Sequence, residues 1–127
     1  MSTFKTKIVA VNPKDESQRS EPVEAAVDTG SELTWLPSGL LEAADIFPRV
    51  ERGFVLADGS TLTRDVGYAI LESGDGEFAT IEEVVFGEPG DLSLLGVRTL
   101  EGFGAMVDNI EHRLVARALL AAGNRGV

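Results

Sequence analysis

Asp28 closes an apolar run, Glu24-Ala25-Ala26-Val27, and is followed at once by Thr29, Gly30 and Ser31. A carboxylate at a strand end, beside residues that turn the chain, is open to a reacting molecule and can take or give a proton. Gly30 lets the backbone turn tightly and approach a partner, while Thr29 and Ser31 supply short hydroxyls that orient Asp28 or tie the loop down. Read for shape alone, the same tetrapeptide is an ordinary turn, because each of its residues favours turns. A second stretch, Leu92-Ser93-Leu94-Leu95-Gly96, describes a buried strand whose last residue passes close to another backbone.

Other chemistries have fewer parts. The single histidine, His112, lies in the polar stretch Asn109-Ile110-Glu111-His112-Arg113, with no second histidine to share a metal and no Gly-x-Ser-x-Gly elbow to serve. It reads as a structural or solvent-facing residue. The absence of cysteine removes disulfides, thiol catalysis and cysteine-ligated metals. Glu82-Glu83 is the nearest approach to paired acids, but neighbours on a strand face opposite ways. There is no glycine-rich phosphate loop, no internal repeat and no heptad pattern.

The elements that must position Asp28 fit one domain over 1–127, soluble and long enough to bury a core. Formal net charge is −10, which disfavours nucleic acid and anionic membranes as partners and favours neutral or basic substrates. The N-terminus carries no export pattern and no apolar run is of membrane-spanning length, so a cytoplasmic location is expected.

Strands are predicted over Lys5 to Asn12 and Pro22 to Val27, joined by a long polar loop, and then over Leu33 to Pro37. Ser38 is placed to cap a short helix over Gly39 to Ala44, with Leu40 and Leu41 inward. Phe54-Val55-Leu56-Ala57 and Ser60-Thr61-Leu62-Thr63 form a hairpin about the turn pair Asp58-Gly59. By pattern alone this is either an ordinary edge hairpin or a mobile flap. Further strands are expected at Val66 to Leu71 and Phe78 to Phe86. Helical turns over Val97 to Gly102 end at a glycine cap, and Ala105-Met106-Val107 and Arg113-Leu114-Val115 form strands about Asp108-Asn109. The tail from Ala116 to Val127 is alanine-rich before it frays, and suits a short helix. Trp35, the one tryptophan, is a core residue or a pocket wall.

With both anchor stretches in place, the chain resembles the single-domain, retroviral-type aspartic proteases, in particular the small bacterial retropepsin-like proteins, over roughly Glu21 to Leu114. Order and spacing agree: Asp28-Thr29-Gly30-Ser31, the hairpin at Asp58-Gly59, then Leu94-Leu95-Gly96 before Thr99-Leu100-Glu101. The resemblance implies an all-β fold, a closed acid-protease barrel with one short helix after the Leu-Leu-Gly strand. It implies a homodimer too, since one chain supplies one aspartate and the reaction needs two; the single Asp-Thr-Gly in 127 residues agrees independently. It marks Asp28, Thr29 and Gly30 as the catalytic set, with Thr29 bonding across the dimer axis and Ser31 hydrogen-bonding the Asp28 carboxylate. Ser31, Trp35, Asp58, Gly59 and Leu95 are marked as substrate-binding, the peptide lying extended beneath the flaps. No metal and no cofactor are implied.

Two departures from the family pattern stand out. Retroviral members place an arginine directly after the second glycine to tie down the active-site loop, whereas here the order is Gly96-Val97-Arg98, so the arginine points elsewhere. The flap carries one glycine, Gly59, where retroviral flaps have several, which makes it stiffer or smaller. A reading of a different class is a non-catalytic dimeric peptide-binding module of the same fold, since fold does not fix function.

Overall fold

The computed structural model describes residues 4–121 of the 127. Nine strands and two short helices follow one another as β1 Lys5–Val11, β2 Val23–Val27, β3 Thr34–Pro37, α1 Ser38–Ala43, β4 Val50–Val55, β5 Thr61–Ser73, β6 Ala79–Gly87, β7 Leu94–Leu95, α2 Val97–Phe103, β8 Ala105–Asp108 and β9 Arg113–Ala116. The first seven strands form one sheet in the order β1-β2-β7-β3-β6-β5-β4, and β1 also pairs with β5; β8 and β9 make a separate hairpin.

Alternation along the strands gives this sheet two apolar faces. Leu36, Val84 and Phe86 point one way, into the main core with Ile8, Val27, Leu41, Leu71, Leu95, Leu100 and Phe103. Their neighbours Trp35 and Val85 point the other way, into a smaller cluster with Leu33 and Val66. Ile8, Leu36, Leu41, Leu71 and Leu95 are wholly buried, each contributing about 1.5–3 kcal/mol, which fixes the register of the strands that carry them.

Several local expectations are corrected. β5 is one strand of 13 residues, where two were expected, because it changes partner along its length: β4 up to Val66, β6 from Val66 onward, and β1 from Ile70 to Ser73. α1 begins at Ser38 itself, with Pro37 at the cap and no side-chain capping bond. α2 ends at Gly104, in the left-handed conformation at φ 66°, rather than at Gly102. Gly102 serves closeness instead, since a Cβ there would meet Thr80 and Glu82 of β6. Residues 117–121 carry no regular structure, and the rest of the expected terminal helix lies outside the described residues.

Candidate active site

Asp28 takes its place from the strands on either side of it. β2 is gripped by antiparallel β1 and by parallel β7, which sets Val27 opposite Leu95. The Asp28 N–H continues that ladder by donating to the Leu95 carbonyl at 3.0 Å. The chain then turns: Gly30 N–H donates to Asp28 Oδ1 at 2.8 Å and Ser31 N–H to the Asp28 carbonyl at 3.1 Å. Asp28 is half-buried while Thr29 and Gly30 are exposed, so the carboxylate is oriented by one backbone donor, the Gly30 N–H, yet open on one side.

Helix α2 supplies the other wall of the loop. Val97 N–H donates to the Ser31 carbonyl at 2.8 Å and Arg98 N–H to the Glu32 carbonyl at 3.0 Å. The first donors of a helix have no partner within it, and here the loop satisfies them in place of a capping side chain. Gly96 makes that approach possible. A Cβ there would lie 2.5 Å from the Leu33 carbonyl carbon and 2.9 Å from the Ser31 carbonyl oxygen. Beneath it, the wholly buried hydroxyls of Thr34 and Thr99 lie 2.6 Å apart, and Thr34 Oγ1 also accepts the Gly96 N–H at 3.0 Å. This buried pair went unread in the sequence, where two threonines 65 positions apart carry no local signal.

Three expected roles change. The Ser31 hydroxyl donates to the Leu33 carbonyl at 2.7 Å rather than to Asp28, because the turn swings its side chain toward the strand that follows. Leu95 is wholly buried in the main core of the single chain, and what the fold shows of it is a positioning contact, its carbonyl accepting the Asp28 N–H. Arg98 does reach the active-site loop: its guanidinium lies 3.7 Å from Glu32 and 3.3 Å from Glu83. The arginine comes one residue later than in the family pattern, and its long side chain still reaches Glu32.

Asp58 and Gly59 stand apart from this loop at the tip of the β4–β5 hairpin, exposed, with no hydrogen bond to Asp28 among the described residues. The turn is longer than a two-residue Asp-Gly turn. Gly59 N–H donates to the Leu56 carbonyl and Leu56 N–H to the Ser60 carbonyl, leaving Ala57, Asp58 and Gly59 as the loop, with Gly59 at φ 86°. The Asp58 carboxylate accepts both the Ser60 hydroxyl and its N–H, which holds it below the usual carboxylate range. Trp35 packs beneath the base of the hairpin, its ring 5.1 Å from that of Phe54, with Leu62 and Leu94 against the same cluster. It is buried in the single chain, as a core residue. The cluster therefore joins the hairpin to Leu33 in the active-site loop.

Among the described residues no group of three or more acidic, histidine or cysteine side chains is placed to hold a metal, and no helix is long and apolar enough to cross a membrane. His112 is exposed, with its ring stacked on that of Phe4 at 5.7 Å. Glu82 and Glu83 do face opposite ways: Glu82 accepts from Thr80, and Glu83 pairs with Arg52 and Arg98.

No protein-family model matches the sequence, and no curated protein matches it. Among solved structures, the chain is similar to the solution structure of Simian Foamy Virus (mac) protease, with a TM-score of 0.50 and 20% identity, over 77% of this chain and 92% of that one. The fold is retropepsin-like. It is mostly β, with the Asp28 loop, the β4–β5 hairpin and the Leu94-Leu95-Gly96 stretch in the order described above.

Proposed function

We propose that this protein is an aspartic endopeptidase that works as a homodimer, each protomer contributing one Asp28. The observation that carries this reading is the Asp28-Thr29-Gly30 turn at the end of β2 in a retropepsin-like fold, open on one side and held by backbone donors. The pairing of β1 with both β2 and β5 supports a closed barrel. One Asp-Thr-Gly per chain makes the carboxylate pair a property of two chains.

Two carboxylates held around one water cannot both ionise cheaply, so they share a proton. The ionised one takes a proton from the water as its oxygen attacks the scissile carbonyl carbon, and the protonated one donates to the carbonyl oxygen. When the tetrahedral intermediate collapses, the carboxyl that took the water proton gives it to the leaving nitrogen, the C–N bond breaks, and the other carboxylate takes a proton back from a hydroxyl of the intermediate as the new carboxyl group forms. Thr29 bonds across the dimer axis and holds the two loops together. The peptide lies extended under the β4–β5 hairpins and hydrogen-bonds through its backbone as an added strand does. Neither a metal nor an organic cofactor enters the reaction.

The test is to mix the purified protein, and its Asp28→Asn variant, with a diverse peptide set at several pH values and to read the products by mass spectrometry. Cleavage by the wild type alone, with both proteins folded, supports the proposal. Cleavage by the variant overturns it. Capture of peptides by both without cleavage establishes the non-catalytic binding module instead.

A further inference from the structure

One carboxylate, that of Glu83 on β6, joins the hairpin strand β4 to the loop that carries Asp28. Its Oε2 lies 3.0 Å from Arg52 Nη2, and its Oε1 lies 3.3 Å from Arg98 Nη1, whose second nitrogen faces Glu32 in the active-site loop. The Glu83 side chain is only 17% exposed, whereas both arginine side chains are 50% exposed. Glu83 lies two residues before Val85 and Arg52 two residues before Phe54, so both share the sheet face of the small cluster beneath the hairpin. The network is the polar border of that cluster.

We propose that Glu83 is a positioning residue that couples the β4–β5 hairpin to the Asp28 loop through Arg52 and Arg98. This rests on reading that hairpin as the flap over the site. Exposed ion pairs contribute little singly, so the device acts through linkage rather than stability. Both oxygens of one carboxylate are engaged, and a shift of Arg52 with the hairpin changes the hold on Arg98, hence on Glu32 and the turn before it. An Arg52 fixed by a closed hairpin leaves Glu83, and with it Arg98, in one place.

The test measures amide hydrogen exchange by mass spectrometry in residues 28–33 of wild type, Arg52→Ala, Arg98→Ala, Glu83→Gln and the double variant Arg52→Ala/Glu83→Gln, with Glu82→Gln, on the opposite face, as control. Arg52→Ala is expected to speed exchange in residues 28–33 by roughly threefold, although the ion pair of Arg52 is with Glu83 and not with any of them, and to do so no longer in the Glu83→Gln background. The same effect in both backgrounds, or no effect of Arg52→Ala, overturns the coupling. Glu82→Gln is expected to leave that segment unchanged; an equal effect from it also overturns the proposal. Because exchange needs no substrate, the coupling is decided even if the wild type cleaves nothing. If it cleaves, Glu83→Gln should raise KM and lower kcat together, as loss of both capture and orientation requires.

Discussion

Alanine at Gly96 probes the joint between helix α2 and the active-site loop. The backbone there is extended, at φ −91° and ψ 173°, which alanine adopts without strain, so any cost is steric. The new Cβ would lie 2.5 Å from the Leu33 carbonyl carbon and 2.9 Å from the Ser31 carbonyl oxygen, both backbone atoms that no side-chain rotation can move away. Relief requires loop and helix to separate by about 0.5–1 Å, since carbon contacts are comfortable near 3.5–4 Å. That separation stretches the bonds from Val97 N–H to Ser31, from Arg98 N–H to Glu32 and from Gly96 N–H to Thr34 Oγ1. Overpacking costs about 1–3 kcal/mol and each weakened hydrogen bond a fraction of its roughly 1 kcal/mol, so Gly96→Ala should lose about 2–4 kcal/mol. For a domain of this size that lowers Tm by roughly 6–20 °C. Urea unfolding followed by circular dichroism measures it, with Gly39→Ala as the control: nothing lies within 4 Å of that Cβ, so the substitution should be neutral or stabilising by up to about 1 kcal/mol. A Gly96→Ala protein within about 0.5 kcal/mol of wild type would show that the loop is not clamped as described.

The buried hydroxyl pair and the ion pair behind the β6–β7 loop give two further expectations. Thr34→Val leaves both the Gly96 N–H and the Thr99 hydroxyl buried without their partner, and should cost about 2–4 kcal/mol, more than Thr99→Val, which leaves Thr34 still accepting from Gly96; equal losses in urea unfolding would contradict this. Asp91 is held below the ordinary carboxylate range chiefly by its two hydrogen bonds from Arg64, at 2.7 and 3.0 Å. Its contribution to stability is therefore complete above about pH 4 and lost as pH falls through the lowered value, so the stability gap between wild type and Asp91→Asn should shrink from pH 6 to about pH 2; a constant gap would refute it.

Much of the site was legible because its parts are local. Val27-Asp28-Thr29-Gly30 and Leu94-Leu95-Gly96 announce strands that end in close turns, and those strands lie side by side. The continuity of β5 was hidden by Arg64 and Asp65, which look like a break but fall just before the strand leaves β4 and takes up β6. Asp58-Gly59 marked a hairpin correctly yet not its loop, since Ala57 joins the turn for reasons of backbone pairing that its own side chain does not encode. Gly102 and Gly104 look alike in sequence, and only the packing of α2 on β6 separates the glycine that permits contact from the one that ends the helix. The reach of Arg98 and the partners of Ser31 depend on where α2 starts and which way the loop turns, both tertiary facts.

That catalysis takes one Asp28 from each of two chains is tested most directly by mixing subunits. Wild type and Asp28→Asn are combined at fixed total concentration, allowed to exchange, and assayed for peptide cleavage as the wild-type fraction is varied. If each site needs both carboxylates, mixed dimers are dead and activity follows the square of the wild-type fraction, about a quarter of full activity in an equal mixture. Activity proportional to the wild-type fraction, about half in an equal mixture, would mean that one chain's Asp28 suffices and would contradict the paired-carboxylate account.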